Sequence, residues 1–538
     1  MTDLPALGID LGTTYSCVAQ LDDFKPVALE NGDGDKTTPS IVYFQSGGGE
    51  AVVGKHAKNE LARDPRRVVQ HIKRHMGVDQ FSIEIDGRPY YPQQISAIIL
   101  EQLVRDALAA LGLDVPEDGP MADVVITVPA YFGGAERAAT KTAGELAGLN
   151  VVSIINEPTA AAVAYGLTKG DEQRNVLVYD LGGGTFDVTV VAASSAEVRA
   201  VATGGDRELG GADWDIRLKS WVLDKFRDEH ADAPDPEEDT EAIGDLDVRV
   251  EDAKQSLTRA NKSTINFTAN TFRGSYEITR DEFEDLTADL VERTLHQTEL
   301  VVEAAEKKGV KHLDDVIMVG GMSRMPVLGR RLEEMLQKRY GTAPTPRVTD
   351  PDQIVAKGAA LFAASAVALS EEYDPNSGSG GSQQGGGGYL PGPAVPKLVN
   401  ITSRGYGVKA VHDENDTVGY VSWLIKPNDE LPAGPRDTYY TIYPNQTEVN
   451  VVVFESATNV LNDDVSVNTE LVKGTLTGLS PNKPARQPID VTFRLGDEGI
   501  LEIVALGPTG QRLDLVYTLP GSVPKEELAK PLPNIAAR

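Results

Sequence analysis

The chain has 538 residues, and 51 Lys and Arg against 81 Asp and Glu give a formal net charge of −30. That length calls for two or more domains. That charge argues against electrostatic binding to nucleic acid or an anionic membrane, both of which need clustered cations. Hydrophobic residues are 41% and charged residues 25%, the balance of a globular chain, and the lone Cys17 excludes a disulfide framework or a CxxC metal knuckle.

From Met1 to Gly8 there is neither a basic start nor an apolar core, so no signal peptide is read. The longest mostly apolar run, Gly358 to Leu369, is shorter than the ~20 residues a membrane helix needs. A soluble, cytoplasmic protein is expected. Runs at Leu7–Leu11, Val124–Val128, Val151–Ile155, Val176–Asp180 and Val316–Val319 predict buried strands. Amphipathic periods at Ala97–Leu111, Ala135–Ala147, Arg280–Lys308 and Val327–Arg339 predict helices, and the alternation predicts an α/β domain over residues 1–370. Within it, acidic His230 to Asp247 reads as a solvated loop between helices. Residues 371–397, rich in Gly, Ser and Pro, bury too little to offset chain entropy and read as a flexible linker. Over 398–521 the segments Val418–Ile425, Asp437–Tyr443, Glu448–Glu455, Glu470–Thr475, Pro488–Leu495, Ile500–Leu506 and Arg512–Leu519 predict an antiparallel β-sandwich. The tail, 522–538, carries Pro524, Pro531 and Pro533 and cannot form a long helix.

Two stretches share one pattern. Gly8-Ile9-Asp10-Leu11-Gly12-Thr13-Thr14 and Val178-Tyr179-Asp180-Leu181-Gly182-Gly183-Gly184-Thr185 each run strand, Asp, Leu, Gly, Thr, and each leads into a second strand. Glycine lets backbone N–H groups approach an anion and form a nest for it. The aspartate at the strand end would hold a hydrated divalent cation against phosphates. Two such hairpins predict a duplicated domain with a nucleotide between its halves. Val319-Gly320-Gly321-Met322-Ser323-Arg324 follows a strand, so its glycines permit close approach and Arg324 would stack on a purine. Glu157, at the end of Val151–Ile155, reads either as a helix cap or as a carboxylate that positions water. Lys73, among other basic residues, reads by itself as surface. Gly54-Lys55 is followed by His56, so no Walker loop is present, and no HExxH motif supports a catalytic zinc.

At these residues the chain resembles the seventy-kilodalton heat-shock chaperones, the DnaK family. The resemblance runs from Leu7 to about Leu369 and includes IDLGTTYSCV, NEPTAAAVAYGL, YDLGGGTFDVTV, LGGADWD and VGGMSRMP. It implies an actin-like (duplicated ribonuclease-H-like) ATPase domain followed by an all-β sandwich that binds peptide. It implies ATP or ADP with Mg²⁺, and K⁺ as an accessory ion. Gly12, Thr13, Thr14 and Tyr15 would form the first phosphate loop, and Gly183, Gly184 and Thr185 the second. Asp10, Asp180 and Asp187 would hold magnesium through water, with Asp180 or Thr13 orienting the attacking water. Lys73 would meet the γ-phosphate and Glu157 would lie near the water. Glu251, Lys254 and Thr258 would contact the ribose. Ser323 and Arg324 would flank the adenine beside Gly320 and Gly321, with Asp352 nearby. Pro129 and Arg137 fall where the family places its switch. In the sandwich, Val408, Tyr439, Val449 and Val451 would form a hydrophobic pocket, with Val411 and Ile442 arching over an extended peptide; the same residues also read as ordinary core.

Two departures from the family pattern stand out. The family's interdomain linker is a short strand that docks on the ATPase domain, and Ser370–Gly388 contains no such strand, so weakened coupling is expected. The helical lid is also expected to be missing. A slow ATPase that binds unfolded polypeptides, served by a J-domain protein and a nucleotide-exchange factor, is one expectation. A nucleotide-gated module whose sandwich binds one dedicated protein partner is the other.

Overall fold

The computed structural model describes residues 4–47, 49–78, 81–166, 172–372, 396–496, 501–517 and 525–536. Two sheets of matched order build the first domain. In the first lobe the order is Asn150–Asn156, Asp123–Val128, Ala6–Asp10, Tyr15–Asp22, Lys25–Ala28, with Thr38–Pro39 paired to Tyr15–Asp22 off that path. In the second lobe it is Arg347–Val348, Asp315–Val319, Arg174–Leu181, Phe186–Ala193, Glu197–Asp206 and then Lys397–Val399. Ala6–Asp10 and Arg174–Leu181 each pair in parallel on one side and antiparallel on the other. This is the duplication that the twin motifs predict. Phe186–Ala193 is buried along its whole length, as a strand covered on both faces must be.

Five predicted strands of this domain appear within two residues of their expected ends. The long period at Arg280–Lys308 divides into Arg280–Leu286 and Ala288–Lys307 at Thr287, whose φ of −117° leaves the helical range while its hydroxyl donates to the Phe283 carbonyl at 2.8 Å. The acidic segment is not all loop. Asp239 accepts from the Ala242 amide at 3.1 Å, and that cap starts a helix, Thr240–Leu257, inside it.

The sandwich has one sheet ordered Tyr420–Ile425, Tyr406–Ala410, Glu448–Glu455, Thr469–Thr477 and another ordered Arg436–Tyr440, Pro488–Leu495, Leu501–Leu506, Arg512–Tyr517. Val453, Leu476, Phe493, Leu501 and Ile503 fill the space between them. Tyr406–Ala410 was not anticipated: two glycines, Gly405 and Gly407, interrupt its pattern, and Gly407 faces the Ser422 backbone too closely for a side chain.

Most of the Gly/Ser segment, 373–395, lies outside the described residues, and the helix before it, Ile354–Glu372, reaches past the expected boundary at 370. Ser370–Gly388, expected to hold no docking strand, lies mostly outside the described residues as well, but a strand further along the chain does dock. Lys397–Val399 adds in parallel to Glu197–Asp206, with the Lys397 amide donating to the Ala196 carbonyl at 2.9 Å. The physical reason is an open sheet edge, which accepts any short extended segment held nearby. Residues 397–399 therefore belong to the first domain's sheet. The tail also returns to the first domain, where Asn534–Ile535 pairs with Glu50–Val53.

Candidate nucleotide site

The two Asp–Gly–Thr hairpins face each other across a cleft of about 1090 Å³ between the lobes. A side-chain carbon on Gly183 would fall 1.8 Å from the Thr14 hydroxyl, and one on Gly184 would fall 2.2 Å from the Thr13 methyl. The second turn thus needs glycine where the first presents threonine, while Gly12 of the first is required by the Tyr15 carbonyl of its own turn. Behind the first turn, Ser40 donates to the Gly12 carbonyl at 2.8 Å and fixes the loop.

Asp10 and Asp180 end equivalent strands, and Asp187 sits opposite Asp180 across the second hairpin. Glu157 begins the helix Glu157–Gly166 and accepts from Lys73 at 2.5 Å. Four carboxylates thus share one buried ammonium. Burial, then repulsion from Glu157, lifts Asp10 to about 7 despite Lys73. Burial, then Glu157 and its fellow aspartates, holds Asp180 well above the usual carboxylate range, and burial with Glu157 does the same to Asp187. Asp187 Oδ2 accepts from the Ala130 amide at 3.3 Å, while its buried Oδ1 has no hydrogen-bond partner among the described residues. Such a cluster fits a divalent cation, whose charge would restore the ionised forms. Among the described residues no three His, Cys, Asp or Glu side chains converge closely enough to ligate a metal themselves, so the fit is to a hydrated ion.

The cleft is lined by Asp10, Gly12, Thr13, Thr14, Tyr15, Lys73, Glu157, Asp180, Gly183, Thr185, Glu251, Lys254, Thr258, Gly320, Gly321, Arg324 and Asp352, all anticipated. Arg324 is ion-paired with Asp352. Ser323 differs. It is 2% exposed and its hydroxyl donates to the Val319 carbonyl at 2.5 Å, inside the short helix Gly321–Arg324, so it does not line the cleft. Gly184 turns its carbonyl to Arg74 Nε at 2.8 Å.

Lys73, read locally as surface, is 5% exposed. His71 explains the inversion: at φ 58° it takes the left-handed region and turns Ile72 and Lys73 inward. Sequence reasoning missed three supporting groups. Arg74 braces the second turn through Gly184 and also pairs with Asp213 at 2.7 Å. Lys58 pairs with Glu251 at 2.7 Å, and Tyr15 donates to the same carboxylate at 3.1 Å. Asp215 pairs with Lys254 at 2.6 Å. Each depends on partners far away in sequence.

Pro129 starts the turn whose Ala130 amide reaches Asp187, and Arg137 pairs with Asn156, the neighbour of Glu157. The same segment reaches the sandwich. Glu455 Oε1 and Glu136 Oε2 lie 3.0 and 3.3 Å from where a Gly133 side chain would begin. Further along the interface, the Thr203 amide donates to Asn428 Oδ1 at 2.9 Å, Arg199 pairs with Glu430, and Lys308 donates to the Asn428 carbonyl.

In the sandwich, Val408 and Val451 are each 4% exposed and belong to its core. Tyr439 and Val449 are half-buried against that core, and Tyr439 donates to Ser422 Oγ at 3.0 Å. Val411 and Ile442 are half-buried on two loops, which Tyr443 joins by donating to the Glu414 carbonyl at 3.4 Å.

A duplicated α/β domain whose facing glycine–threonine turns enclose an acid cluster and a single lysine defines an actin-like nucleotide-cleft ATPase. The family model described as Hsp70 protein matches residues 6–372 and 398–527. Two curated relatives, both named Chaperone protein DnaK and from two strains of Halobacterium salinarum, are 37% identical over 508 residues, covering 93% of this chain and 72% of theirs. The chain belongs to the Hsp70 family, and with it to the ATP-hydrolysing chaperones. No helix among the described residues is long and apolar enough to cross a membrane.

Proposed function

We propose that the chain is a cytoplasmic DnaK-type chaperone that hydrolyses ATP in the interlobe cleft and binds extended, unfolded polypeptide segments on its sandwich. The observation that carries this reading is the buried set Asp10, Glu157, Asp180 and Asp187 around Lys73, set between the interlocking turns. Phosphoryl transfer needs positioning and charge neutralisation more than covalent help. Backbone N–H groups of Gly12–Tyr15 and Gly183–Thr185 cradle the phosphates. Lys73 neutralises the γ-phosphate. Glu157 and Thr13 hold the attacking water in line, and Asp180 holds it from the other hairpin. Asp10, Asp180 and Asp187 would hold hydrated magnesium, which supplies further neutralisation of phosphate charge, with K⁺ as an accessory ion. Glu251, Lys254 and Thr258 receive the ribose, and Arg324, beside Gly320 and Gly321 and paired to Asp352, receives the adenine.

Pro129 and Arg137 are the switch, because they connect Asp187 and Glu157 to the segment that meets Glu455. Coupling between the domains runs through that contact and the strand Lys397–Val399, and it is weak, since that strand has only three residues. In the sandwich, Tyr439 and Val449 edge the pocket above Val408 and Val451, and Val411 and Ile442 close over the peptide. A J-domain protein and a nucleotide-exchange factor are the expected helpers. The burial of Val408 and Val451 favours the second reading, in which a narrowed groove serves one dedicated protein partner. Calorimetry and turnover test the proposal together. Magnesium should strengthen ATP and ADP binding in the wild type and not in Asp10→Asn, and a hydrophobic peptide should speed hydrolysis by the full chain. Nucleotide uptake indifferent to magnesium would refute the site. Stoichiometric capture of one partner, with no saturable peptide binding, would select the second reading.

A further inference from the structure

The sandwich is held at both of its ends, and by different lobes. Its leading end continues from Lys397–Val399, on the edge of the second lobe's sheet. Beyond its last strand, Arg512–Tyr517, the chain reappears at 525–536 on the first lobe. There Asn534–Ile535 adds in parallel to Glu50–Val53, the Asn534 amide donating to the Gly49 carbonyl at 3.0 Å and the Ala536 amide to the Ala51 carbonyl at 2.9 Å. Leu532 and Ile535 pack against that lobe's core. Gln94, 1% exposed, spends its Oε1 on the Tyr91 amide at 3.2 Å and donates from Nε2 to the Glu527 carbonyl at 2.9 Å. Arg88 donates to the Pro531 carbonyl at 2.8 Å. The family match ends at residue 527, so the strand that docks here lies beyond it.

Two features give this attachment a consequence. Its sheet is ordered Asn534–Ile535, Glu50–Val53, Val42–Phe44, Val68–Val69, and the last of these strands leads directly into the turn that carries Lys73. The attachment is also thin: two edge hydrogen bonds, two side-chain hydrogen bonds from Gln94 and Arg88, and two partly buried side chains must offset the ordering of a dozen residues, so it opens readily. We propose that residues 525–536 form a reversible latch that ties the far end of the sandwich to the first lobe, so that the sandwich stays docked only while both lobe edges are engaged. A change in the angle between the lobes then reaches the sandwich through two backbone attachments. This inference does not depend on hydrolysis.

Hydrogen exchange on the full chain tests it, with the Lys397 amide as a distant reporter of docking. In the wild type, Asn534 and Ala536 should be protected. Ile535→Asp, and separately Ala536→Pro, which removes one donor only, should speed exchange in the tail by about tenfold or more and also speed it severalfold at 397–399. A synthetic 525–538 peptide added in excess to the wild type takes the Glu50–Val53 edge without the covalent tie to the sandwich, and should likewise speed exchange at 397–399. Tail amides already exchanging freely in the wild type, or a change confined to the tail, would overturn the proposal.

Discussion

The nucleotide cleft and the proposed peptide groove differ in what burial does to the side chains involved. At the cleft, the buried charged groups are Asp10, Asp180, Glu157 and Lys73, with Asp187 behind them, whose Oδ1 finds no hydrogen-bond partner among the described residues. A fold gains nothing by burying an excess of carboxylates without cations, so this arrangement points to a ligand that supplies the missing charge. In the sandwich, Val408 and Val451 are buried among other apolar residues, which any β-sandwich requires. Buried polar groups reveal function on inspection, whereas buried apolar groups serve stability and binding alike.

The largest effect expected from this contrast is at Lys73. Lys73→Ala removes the single ammonium facing the acid cluster and should slow single-turnover hydrolysis by about 10²–10³-fold, the range for losing one preorganised donor, while nucleotide still binds. Hydrolysis at the wild-type rate would make Lys73 a structural partner of Glu157. A smaller effect lies where the two regions meet. Burial, then repulsion from Glu136, raises Glu455 from its ordinary 4.5 to about 7, opposed by Arg404, Arg207 and the hydrogen bond from Tyr406. The docked form therefore keeps a proton that a free glutamate has lost. Because Glu136 of the first domain is among the groups that raise it, docking is favoured at low pH and weakens as pH rises toward 7, by at most about tenfold per pH unit. Exchange at the Lys397 amide between pH 5 and 8 measures this, and Glu455→Gln should flatten the profile. The smallest effect separates the two readings of the groove. Val451→Ala should cost about 2 kcal/mol of sandwich stability in urea unfolding, as a core truncation does. Ile442→Ala should leave the midpoint nearly unchanged and weaken peptide binding severalfold. If Ile442→Ala instead unfolds the domain and spares peptide binding, the groove residues are only core.

Legibility followed the range over which each feature is encoded. The cleft's turns are local words of glycine, threonine and aspartate, and nearly every residue read from them lines the cleft. Ser323 lies off the cleft lining because its hydroxyl finds the carbonyl of Val319, at the end of the preceding strand, an alternative that the spacing does not exclude. Arg74, Lys58 and Asp215 were missed because their partners lie 110, 193 and 39 residues away. The sandwich strands Glu448–Glu455 and Pro488–Leu495 were delimited by alternation alone, while Tyr406–Ala410 was hidden by glycines that exist for a neighbour's backbone.

By itself the sequence determined the duplicated α/β halves, the facing phosphate turns and the presence of a separate sandwich, since strand periodicity and turn chemistry act over a few residues at a time. Only the tertiary structure decided that Lys73 points inward, that Lys397–Val399 closes one sheet edge, and that Asn534–Ile535 closes another. Those outcomes depend on which open edge or unpaired carboxylate a distant segment meets, and no local pattern carries that information.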